Sequence, residues 1–336
     1  MHSHRPSKLP VRLHIKNNRS GELVFRTTPD RYADAAARHV DISGRMDTTI
    51  DWDLDQFSES MKTAEVLMTW DLPTEDLRAR APHLKWVHII GAGVEHLAPF
   101  DWVPKGMTIT NNSGIHMEKT MEYVSMALQM LNNNIPKFVT DQRNAKYNSV
   151  FSTPIAGKTV TVVGVGKMGR GAARAARKLG CRVLGVRRSG RSSRYVDQMY
   201  GPQHLNRALS EADFVVVNAP LTPETAGMIG AVQLDAMKPG AGLINLGRAK
   251  VVDYSALAQR LSCGALGGAI IDVHDPEPLP ENSPYWNTPN LIITPHVSSD
   301  DDLSYVPLTL DLMFNNMGRF LAGAPLKNRV DPGLGY

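Results

Sequence analysis

The chain has 336 residues, of which 42% are hydrophobic and 21% charged, a composition typical of a globular protein long enough to form two domains. No apolar stretch reaches the length of a membrane span, and the polar, basic residues 1–11 lack the apolar core of a secretory signal. The two cysteines, Cys181 and Cys263, form neither a disulfide framework nor a metal-ligand spacing. We therefore expect a cytoplasmic protein with no metal and no membrane partner.

Positive charge is concentrated in one segment of the chain. The formal net charge is +4 and the isoelectric point about 9.0. Residues 167–194 contain the arginines Arg170, Arg174, Arg177, Arg182, Arg187, Arg188, Arg191 and Arg194. No helix-turn-helix, zinc or RNA-binding signature accompanies them, so we expect a local anionic ligand and no nucleic-acid partner.

Short apolar runs predict the strands of the first part of the chain. They lie at residues 11–15, 66–69, 86–90 and 108–110, with helical stretches between them. Long helices are predicted at residues 117–132 and 301–321. These two helices would carry the chain between two domains, and the second would complete the first domain.

From Lys158 onward, apolar runs alternate with helical patterns. The predicted strands are residues 159–163, 182–186, 214–218, 242–246, 268–273 and 291–294, and the predicted helices are residues 168–179, 231–237 and 254–261. Repeated strand–helix units of this kind predict an α/β fold whose parallel, doubly wound sheet is covered by helices on both faces.

A glycine-rich loop follows the first of these strands. Gly164, Gly166 and Gly169 enclose Lys167 and Met168 in the pattern G-x-G-x-x-G, directly before a predicted helix. In this context the first glycine permits a tight turn, the second lets the backbone approach a pyrophosphate, and the third lets the helix pack on the strand. The helix N-terminus would face the phosphates. The loop therefore predicts a dinucleotide site, against the alternative of a structural glycine turn.

The residues after the second of these strands bear on the choice of dinucleotide. An acidic residue at this place binds the ribose 2′-hydroxyl of NAD. The chain instead has Arg187, Arg188, Ser189 and Arg191, whose guanidinium groups could bind a 2′-phosphate. A solvated basic loop is the alternative. We predict that NADP(H) is the preferred cofactor and that NAD(H) is less favoured.

Three polar residues follow predicted strands in order: Arg248, Glu277 and His296. Open α/β sheets bind their ligands at the carboxyl ends of the strands, which would bring these side chains together. Arginine can hold a carboxylate bidentately, histidine can protonate a forming alkoxide, and a neighbouring glutamate keeps the histidine charged. This set suits reduction of a 2-oxo acid, although each residue alone could be an ordinary ion-pair or loop residue.

Six ordered motifs carry a family resemblance. They are the glycine loop, residues 218–225, the Arg248 segment, the Glu277 segment, residues 283–286 and the segment that ends at His296. In these motifs the chain resembles the D-isomer-specific 2-hydroxyacid dehydrogenase family over residues 64–326, and it is most like the family's glyoxylate/hydroxypyruvate reductase A type.

The resemblance implies an architecture. The expected fold has two doubly wound α/β domains, with a Rossmann dinucleotide-binding domain at residues 116–296 inserted into a flavodoxin-like substrate domain at residues 1–115 and 297–336. It also implies a homodimer, a small 2-oxo or 2-hydroxy acid as substrate, and the D-isomer as product.

The resemblance further implies roles for single residues. Arg248 would clamp the substrate, His296 would act as acid and base, and Glu277 would raise the pKa of His296. The backbone N–H groups of Ala92, Gly93 and Val94 would receive the substrate carboxylate. Independently of the resemblance, Trp70 directly follows the predicted strand 66–69 and could either face the substrate or pack in the core. The remaining cofactor-binding residues would be Asn218, Ala219, Pro220, Thr225, Leu246, Gly247, Asp272, His296 and Ser298, with Asp272 near the nicotinamide amide.

Alternatives remain open at this point. The similar formate dehydrogenases have glutamine where Glu277 stands, which argues against formate, whereas phosphite dehydrogenases share the three residues. The resemblance also extends to dinucleotide-sensing corepressors, which are interaction proteins. Three features depart from the family pattern: Ala249 in place of glycine, Lys119 in place of a small residue, and the acidic run 300–302. The acidic run would either cap the following helix or favour a substrate with a cationic or polar tail.

Overall fold

The structure is a computed structural model that describes residues 9–336; residues 1–8, which make up most of the segment predicted to lack a secretory signal, lie outside the described residues. The chain forms two compact units. The first unit contains residues 9–116 and Asp300–Tyr336, and the second contains Met117–Ser299. The predicted domain limits lie one and three residues from these limits, and the functional assignment of the domains stays a prediction.

The first unit is built on a five-stranded parallel sheet. In chain order its elements are β1 Val11–Asn17, α1 Pro29–Arg38, α2 Val40–Ser43, β2 Met46–Trp52, α3 Phe57–Met61, β3 Val66–Thr69, α4 Leu77–Arg80, β4 Trp86–Ile89 and β5 Thr108–Asn111. The strand order is β2-β1-β3-β4-β5, which is the order of flavodoxin-like sheets. Every residue of β3 and β4 is buried, so both faces of the sheet are covered.

The second unit contains a seven-stranded parallel sheet. Its elements are α5 Met117–Asn132, α6 Ile135–Arg143, β6 Thr159–Val163, α7 Lys167–Lys178, β7 Arg182–Val186, β8 Gln198–Tyr200, α8 Leu205–Ser210, β9 Phe214–Val217, α9 Ala231–Asp235, β10 Gly242–Asn245, α10 Tyr254–Ser262, β11 Gly268–Ile271 and β12 Leu291–Ile293. The strand order β8-β7-β6-β9-β10-β11-β12 is that of a Rossmann sheet extended by one strand. Helix α11, Tyr305–Leu321, then belongs to the first unit.

The central strands of the second unit are buried on both faces. In β6, Val160 and Val162 pack in a cluster with Val124 of α5, whereas Val163 packs in a separate cluster with Leu184. Strands of this kind have continuous apolar sequences because neither face meets water. The prediction of two doubly wound α/β domains is confirmed, since both sheets are parallel and both have the predicted order.

Some element limits differ from the predicted ones. Several strands end one or two residues early, as β11 does at Ile271 rather than at residue 273, because the following residues already belong to the loops of the candidate site. Helix α11 begins at Tyr305 rather than at residue 301, because Asp301 Oδ1 accepts hydrogen bonds from the backbone N–H groups of Leu303 and Ser304 in a turn before the helix. Strands β2 and β8 and helices α6 and α8 were not predicted. Within residues 9–336, no helix combines the length and apolar character needed to cross a membrane.

Candidate active site

The glycine loop lies at the carboxyl end of β6, where the strand order of the sheet reverses between β6 and β9. Gly164 has a φ of +93°, and a Cβ atom there would lie 2.5 Å from the backbone nitrogen of Ala219 in the loop after β9. A Cβ atom on Gly169 would collide with the carbonyl oxygen of Gly164. Both positions therefore require glycine: the first for the turn, the second for the close packing of α7 on the loop.

The second glycine leaves room for a ligand. Gly166 is exposed and forms the N-cap of α7, and a Cβ atom there would meet no atom within 4 Å. Helix α7 has twelve residues and begins with Lys167 and Met168 as its first two residues. Its first backbone N–H groups point toward this space. The side-chain nitrogen of Asn218, in the loop after β9, is buried and has no hydrogen-bond partner among the described residues. These residues fit a dinucleotide pyrophosphate and its neighbouring groups.

The predicted 2′-phosphate segment directly follows β7. Arg187 is partly buried, its Nε donates to Ser189 Oγ at 2.7 Å, and its backbone N–H donates to the carbonyl of Tyr200 in β8. Arg188 and Arg191 are exposed, and the N–H of Arg191 donates to the same hydroxyl at 3.4 Å. The segment is thus a compact basic turn at the end of the strand next to β6.

The loops after β9 and β10 lie against each other. A Cβ atom on Gly247 would lie 2.7 Å from the carbonyl oxygen of Ala219, and Leu246, which precedes it, is partly buried. Pro220 is exposed, and its carbonyl accepts a hydrogen bond from Thr225 Oγ1 at 2.6 Å in the following turn.

Arg248 is placed by a buried network behind it. Asn245 donates to the carbonyl of Arg248 at 3.2 Å and to the hydroxyl of Tyr254 at 2.9 Å. The Tyr254 hydroxyl in turn donates to the carbonyl of Val273 at 2.7 Å. Arg248 itself is partly buried, and its Nη1 donates to the carbonyl of Gly247. The network therefore fixes the backbone that carries Arg248 relative to the segment that leads to Glu277.

Glu277 and His296 form a hydrogen-bonded pair. His296 Nδ1 lies 2.9 Å from Glu277 Oε2, and both side chains are partly exposed. The hydrogen bond to Glu277 raises the pKa of His296, and it outweighs the opposing effects of partial burial and of the nearby Arg248 guanidinium. Partial burial alone would raise the pKa of Glu277, but the hydrogen bonds from His296 and from the His274 backbone hold it below its usual range. Nε2 of His296 has no hydrogen-bond partner among the described residues.

The loop that carries His296 is tied to one buried carboxylate. Asp272 is completely buried, and its oxygens accept from Thr294 Oγ1 at 2.5 Å, from the N–H of Val297 at 3.0 Å and from the N–H of Ser298 at 2.9 Å. His296 itself has a φ of +58°, a left-handed conformation that is uncommon for histidine. The three hydrogen bonds to Asp272 stabilise this strained turn on both sides of His296.

The predicted substrate loop belongs to the first unit and follows β4. Among the described residues, the backbone N–H groups of Ala92, Gly93 and Val94 donate to no other group. Trp70, which follows β3, is 40% exposed, and its ring stacks on that of His96 with 4.2 Å between the ring centroids. Trp70 is thus a surface residue of the first unit rather than a core residue. Three unpaired N–H groups in a row suit an anionic ligand.

The residues that depart from the family pattern make ordinary local contacts. Lys119 forms an ion pair with Glu122 at 2.8 Å on the surface of α5. Ala249 is buried within a short 3-10 turn directly after Arg248. In the acidic run, Asp302 is exposed and Asp301 supports the turn before α11.

Sequence reasoning missed several residues of the site. The loop of Arg248 is supported by the hydrogen bond between Asn245 and Tyr254. The segment that leads to His296 is supported by Tyr123, whose hydroxyl lies 2.6 Å from Thr294 Oγ1. His274 contacts both the Glu277 side chain and the Thr294 carbonyl. Their roles depend on contacts between segments far apart in sequence, so no local pattern could have indicated them.

Together, the Rossmann strand order, the glycine loop and the residues at the carboxyl ends of the strands define an α/β protein with a dinucleotide-binding domain. Residues 124–298 match the family described as D-isomer specific 2-hydroxyacid dehydrogenase, NAD binding domain. The chain belongs to this family, and it is therefore an oxidoreductase with a nicotinamide-dinucleotide domain.

Similarity to individual relatives covers most of the chain. A glycerate dehydrogenase of Methylorubrum extorquens is 30% identical over 285 residues, which cover 82% of this chain and 88% of the relative. A D-isomer specific 2-hydroxyacid dehydrogenase of Xanthobacter autotrophicus, solved with NADPH and MES, has 28% identity and a TM-score of 0.82, and the match covers 96% of this chain and 99% of that one.

The resemblance to the glyoxylate/hydroxypyruvate reductase A type is also confirmed. An NADPH-dependent glyoxylate/hydroxypyruvate reductase of Sinorhizobium meliloti, solved with NADP and sulfate, is 26% identical with a TM-score of 0.79. That match covers 96% of this chain and 99% of the neighbour.

Proposed function

We propose that this protein reduces a small 2-oxo acid of the glyoxylate or hydroxypyruvate kind to the D-2-hydroxy acid, with NADPH as the preferred cofactor. The second unit would be the NAD(P)-binding domain and the first the substrate domain. The observation that carries the proposal is the hydrogen bond of 2.9 Å between His296 Nδ1 and Glu277 Oε2. It leaves Nε2 of a histidine with a raised pKa available to a substrate.

The chemistry divides among a few residues. The reduced nicotinamide supplies a hydride when bound. The protonated Nε2 of His296 gives its proton to the substrate oxygen, and the Glu277 carboxylate stabilises the charged imidazole before the transfer. The guanidinium of Arg248 binds the substrate carboxylate and polarises the adjacent carbonyl.

The preference for NADPH rests on Arg187. No carboxylate stands between Val186 and Arg191, and the Arg187 side chain is held by Ser189 at the end of β7. A guanidinium at this place would pair with a 2′-phosphate and has no comparable partner on NADH. The neighbours from Xanthobacter autotrophicus and Sinorhizobium meliloti, solved with NADPH and with NADP, support this proposal.

Replacing Arg187 tests the preference directly. Arg187→Ala is expected to lower kcat/KM for NADPH roughly tenfold or more and to leave kcat/KM for NADH within about twofold, because one charge-assisted contact is lost. Arg177→Ala is the matched control, since Arg177 is a surface arginine of the same basic segment paired with Asp197. An unchanged ratio of NADPH to NADH turnover in Arg187→Ala would contradict the proposal.

We further propose that the protein is a homodimer through its nucleotide-binding unit. Two aromatic side chains of the segment after α6 support this: Tyr147 is 99% exposed and Phe151 is 93% exposed. Exposed aromatic side chains that are neighbours in one segment are typical of protein–protein contact surfaces. Light scattering on Tyr147→Ser/Phe151→Ser should show monomers, whereas Leu303→Ser, at an exposed residue of the first unit, should not change the mass.

The function itself is tested with a panel of substrates. NADPH and NADH oxidation would be followed with glyoxylate, hydroxypyruvate, pyruvate, phenylpyruvate and a branched 2-oxo acid. The expected result is turnover of the small acids with NADPH well above NADH, and chiral analysis should find the D-isomer. Tight NADPH binding without turnover of any acid would contradict the proposal. NADP reduction by phosphite alone would assign the three residues to phosphite chemistry instead.

A further inference from the structure

His274 lies between β11 and the turn that presents Glu277, and it makes two hydrogen bonds. Its backbone N–H donates to Glu277 Oε1 at 2.7 Å, and its ring Nε2 donates to the carbonyl oxygen of Thr294 at 2.8 Å. Because a carbonyl only accepts, Nε2 must carry a proton. The other ring nitrogen, Nδ1, is buried and has no partner among the described residues, so Nε2 alone anchors the ring by a hydrogen bond.

Through these two contacts, His274 is hydrogen-bonded both to Glu277 and to the segment that carries the candidate acid His296. Thr294 precedes His296 by two residues, and His296 Nδ1 lies 2.9 Å from Glu277 Oε2. Glu277 is thus held at one oxygen by His274 and at the other by His296. The segment that carries His296 is held at the Thr294 carbonyl by His274 and at later N–H groups by Asp272. Both members of the acid–base pair are therefore attached to the same residue.

We infer that His274 is a positioning residue for the reaction: it sets the distance and angle between His296 and Glu277 without touching the substrate. The inference rests on the proposed function, because it assigns His274 a role in the proton transfer by His296. A Glu277 hydrogen bond that is well aligned keeps the imidazole charged, whereas displacement of either partner weakens it. Displacements of about 1 Å in a catalytic group can lower turnover by roughly 10²-fold.

The reach of the donor gives a sharp test. In glutamine, the side-chain nitrogen lies about where Nε2 lies in histidine, whereas the nitrogen of asparagine corresponds to Nδ1. His274→Gln can therefore still donate to the Thr294 carbonyl, and His274→Asn cannot. His274→Phe keeps the ring volume and removes the donor. All three variants keep the backbone N–H that donates to Glu277.

The expected results separate positioning from general stability. His274→Asn and His274→Phe should lower kcat/KM roughly tenfold and leave the KM for NADPH unchanged. In both variants, the pH at which kcat/KM falls should be lower than in the parent. His274→Gln should keep kcat/KM within about twofold of the parent. Thr140→Val is the control, because Thr140 Oγ1 accepts from the N–H of Asn290 just before β12 and its loss weakens the opposite end of the same strand. The control should lower the melting temperature and leave the pH profile unchanged.

A second measurement does not depend on turnover. Nitrogen NMR of the His296 ring in the dinucleotide-bound protein reports its pKa, which should fall in His274→Asn and return in His274→Gln. The pKa of His296 can be measured in this way even if the substrate panel shows that the proposed function is wrong. Equal His296 titration in the parent and in the Asn and Phe variants would overturn the inference. Equal losses in the Gln and Asn variants would also overturn it, since the reach of the donor would then not matter.

Discussion

Three buried histidines of the first unit and His296 of the second have opposite electrostatic environments. In the first unit, burial lowers the pKa of His14, and it lowers the pKa of His88 and His116 to about 4 each. In the second unit, the hydrogen bond to Glu277 raises the pKa of His296. The difference comes from the partners: His88 Nδ1 and Nε2 lie 2.8 Å and 3.1 Å from the neutral groups of Thr110 and Asn112, whereas His296 has a carboxylate.

This comparison explains why His296, unlike the three buried histidines, can act as an acid near neutral pH. A buried imidazole between neutral partners stays unprotonated and serves as a rigid hydrogen-bonding spacer, as His88 does between β4 and the residues at the end of β5. A partly exposed imidazole beside a carboxylate holds a proton and can release it to a ligand. Of the four histidines compared, His296 is the one that is hydrogen-bonded to a carboxylate and the one whose pKa is raised.

The largest expected effect comes from removing the acid. His296→Gln keeps a polar side chain of similar length but cannot deliver a proton, so kcat/KM should fall by roughly 10³-fold, within the usual range for a general acid. Steady-state NADPH oxidation with the best acid of the panel measures the loss. NADPH affinity, followed by fluorescence titration, should stay within about twofold.

His204→Gln serves as the matched control, because His204 is an exposed histidine in a 3-10 turn of the same unit. It should leave turnover unchanged. Normal turnover in His296→Gln would remove His296 from the mechanism and with it the contrast between the two units.

The next effect concerns the stability of the first unit in acid. His88 has a pKa of about 4 in the folded state and an ordinary value of 6.5, so the unfolded state binds more protons between these pH values. Stability contributed by the neutral ring is complete above pH 6.5 and is lost as the pH falls toward 4. For the fully buried His88, the free energy of unfolding lost over this pH range is about 3 kcal/mol. Burial lowers the pKa of His14 and His116 too, so protonation of these two rings also destabilises the first unit.

Amide hydrogen exchange can measure this unit by unit. After correction for intrinsic rates, protection in β4 should decrease more steeply than protection in β10 as the pH falls from 6.5 toward 4. His88→Gln should reduce the steepness in β4, whatever its effect on stability at neutral pH. Equal pH dependence in the two strands would show that the buried histidines do not distinguish the units.

Much of the second unit could be predicted from sequence because its strands are buried on both faces. Continuous runs such as β9, Phe214–Val217, indicate such strands without knowledge of their neighbours. In contrast, β2 is an edge strand whose Asp47 and Thr49 are exposed, so it lacks an apolar run. The glycine loop was predictable for a different reason, since its backbone geometry excludes side chains at Gly164 and Gly169.

The residues of the site could be predicted where the residue type itself indicates the chemistry. The contacts between the loops that position these residues could not be predicted. Arg248, Glu277 and His296 stand in ordered motifs, and the structure brings Glu277 and His296 into contact. The place of Asp272 near the nicotinamide amide stays a prediction, whereas sequence gives no sign of its hydrogen bonds to residues 294, 297 and 298. Contacts across more than twenty residues of sequence depend on how the loops close, which no local pattern contains.

The smallest effect, and the finest test of the contrast, comes from neutralising the carboxylate. Glu277→Gln can still hydrogen-bond His296 but removes the charge that raises the pKa of His296. If the protonated ring is the donor, kcat/KM falls as the pH rises through the pKa of His296, and in the variant this fall should occur at lower pH. Turnover should therefore decrease roughly tenfold near neutral pH and much less in mild acid. Glu224→Gln, at an exposed glutamate after β9, is the control. A uniform loss at every pH would mean that Glu277 orients His296 without setting its charge, and His296 would then differ from His88 by exposure alone.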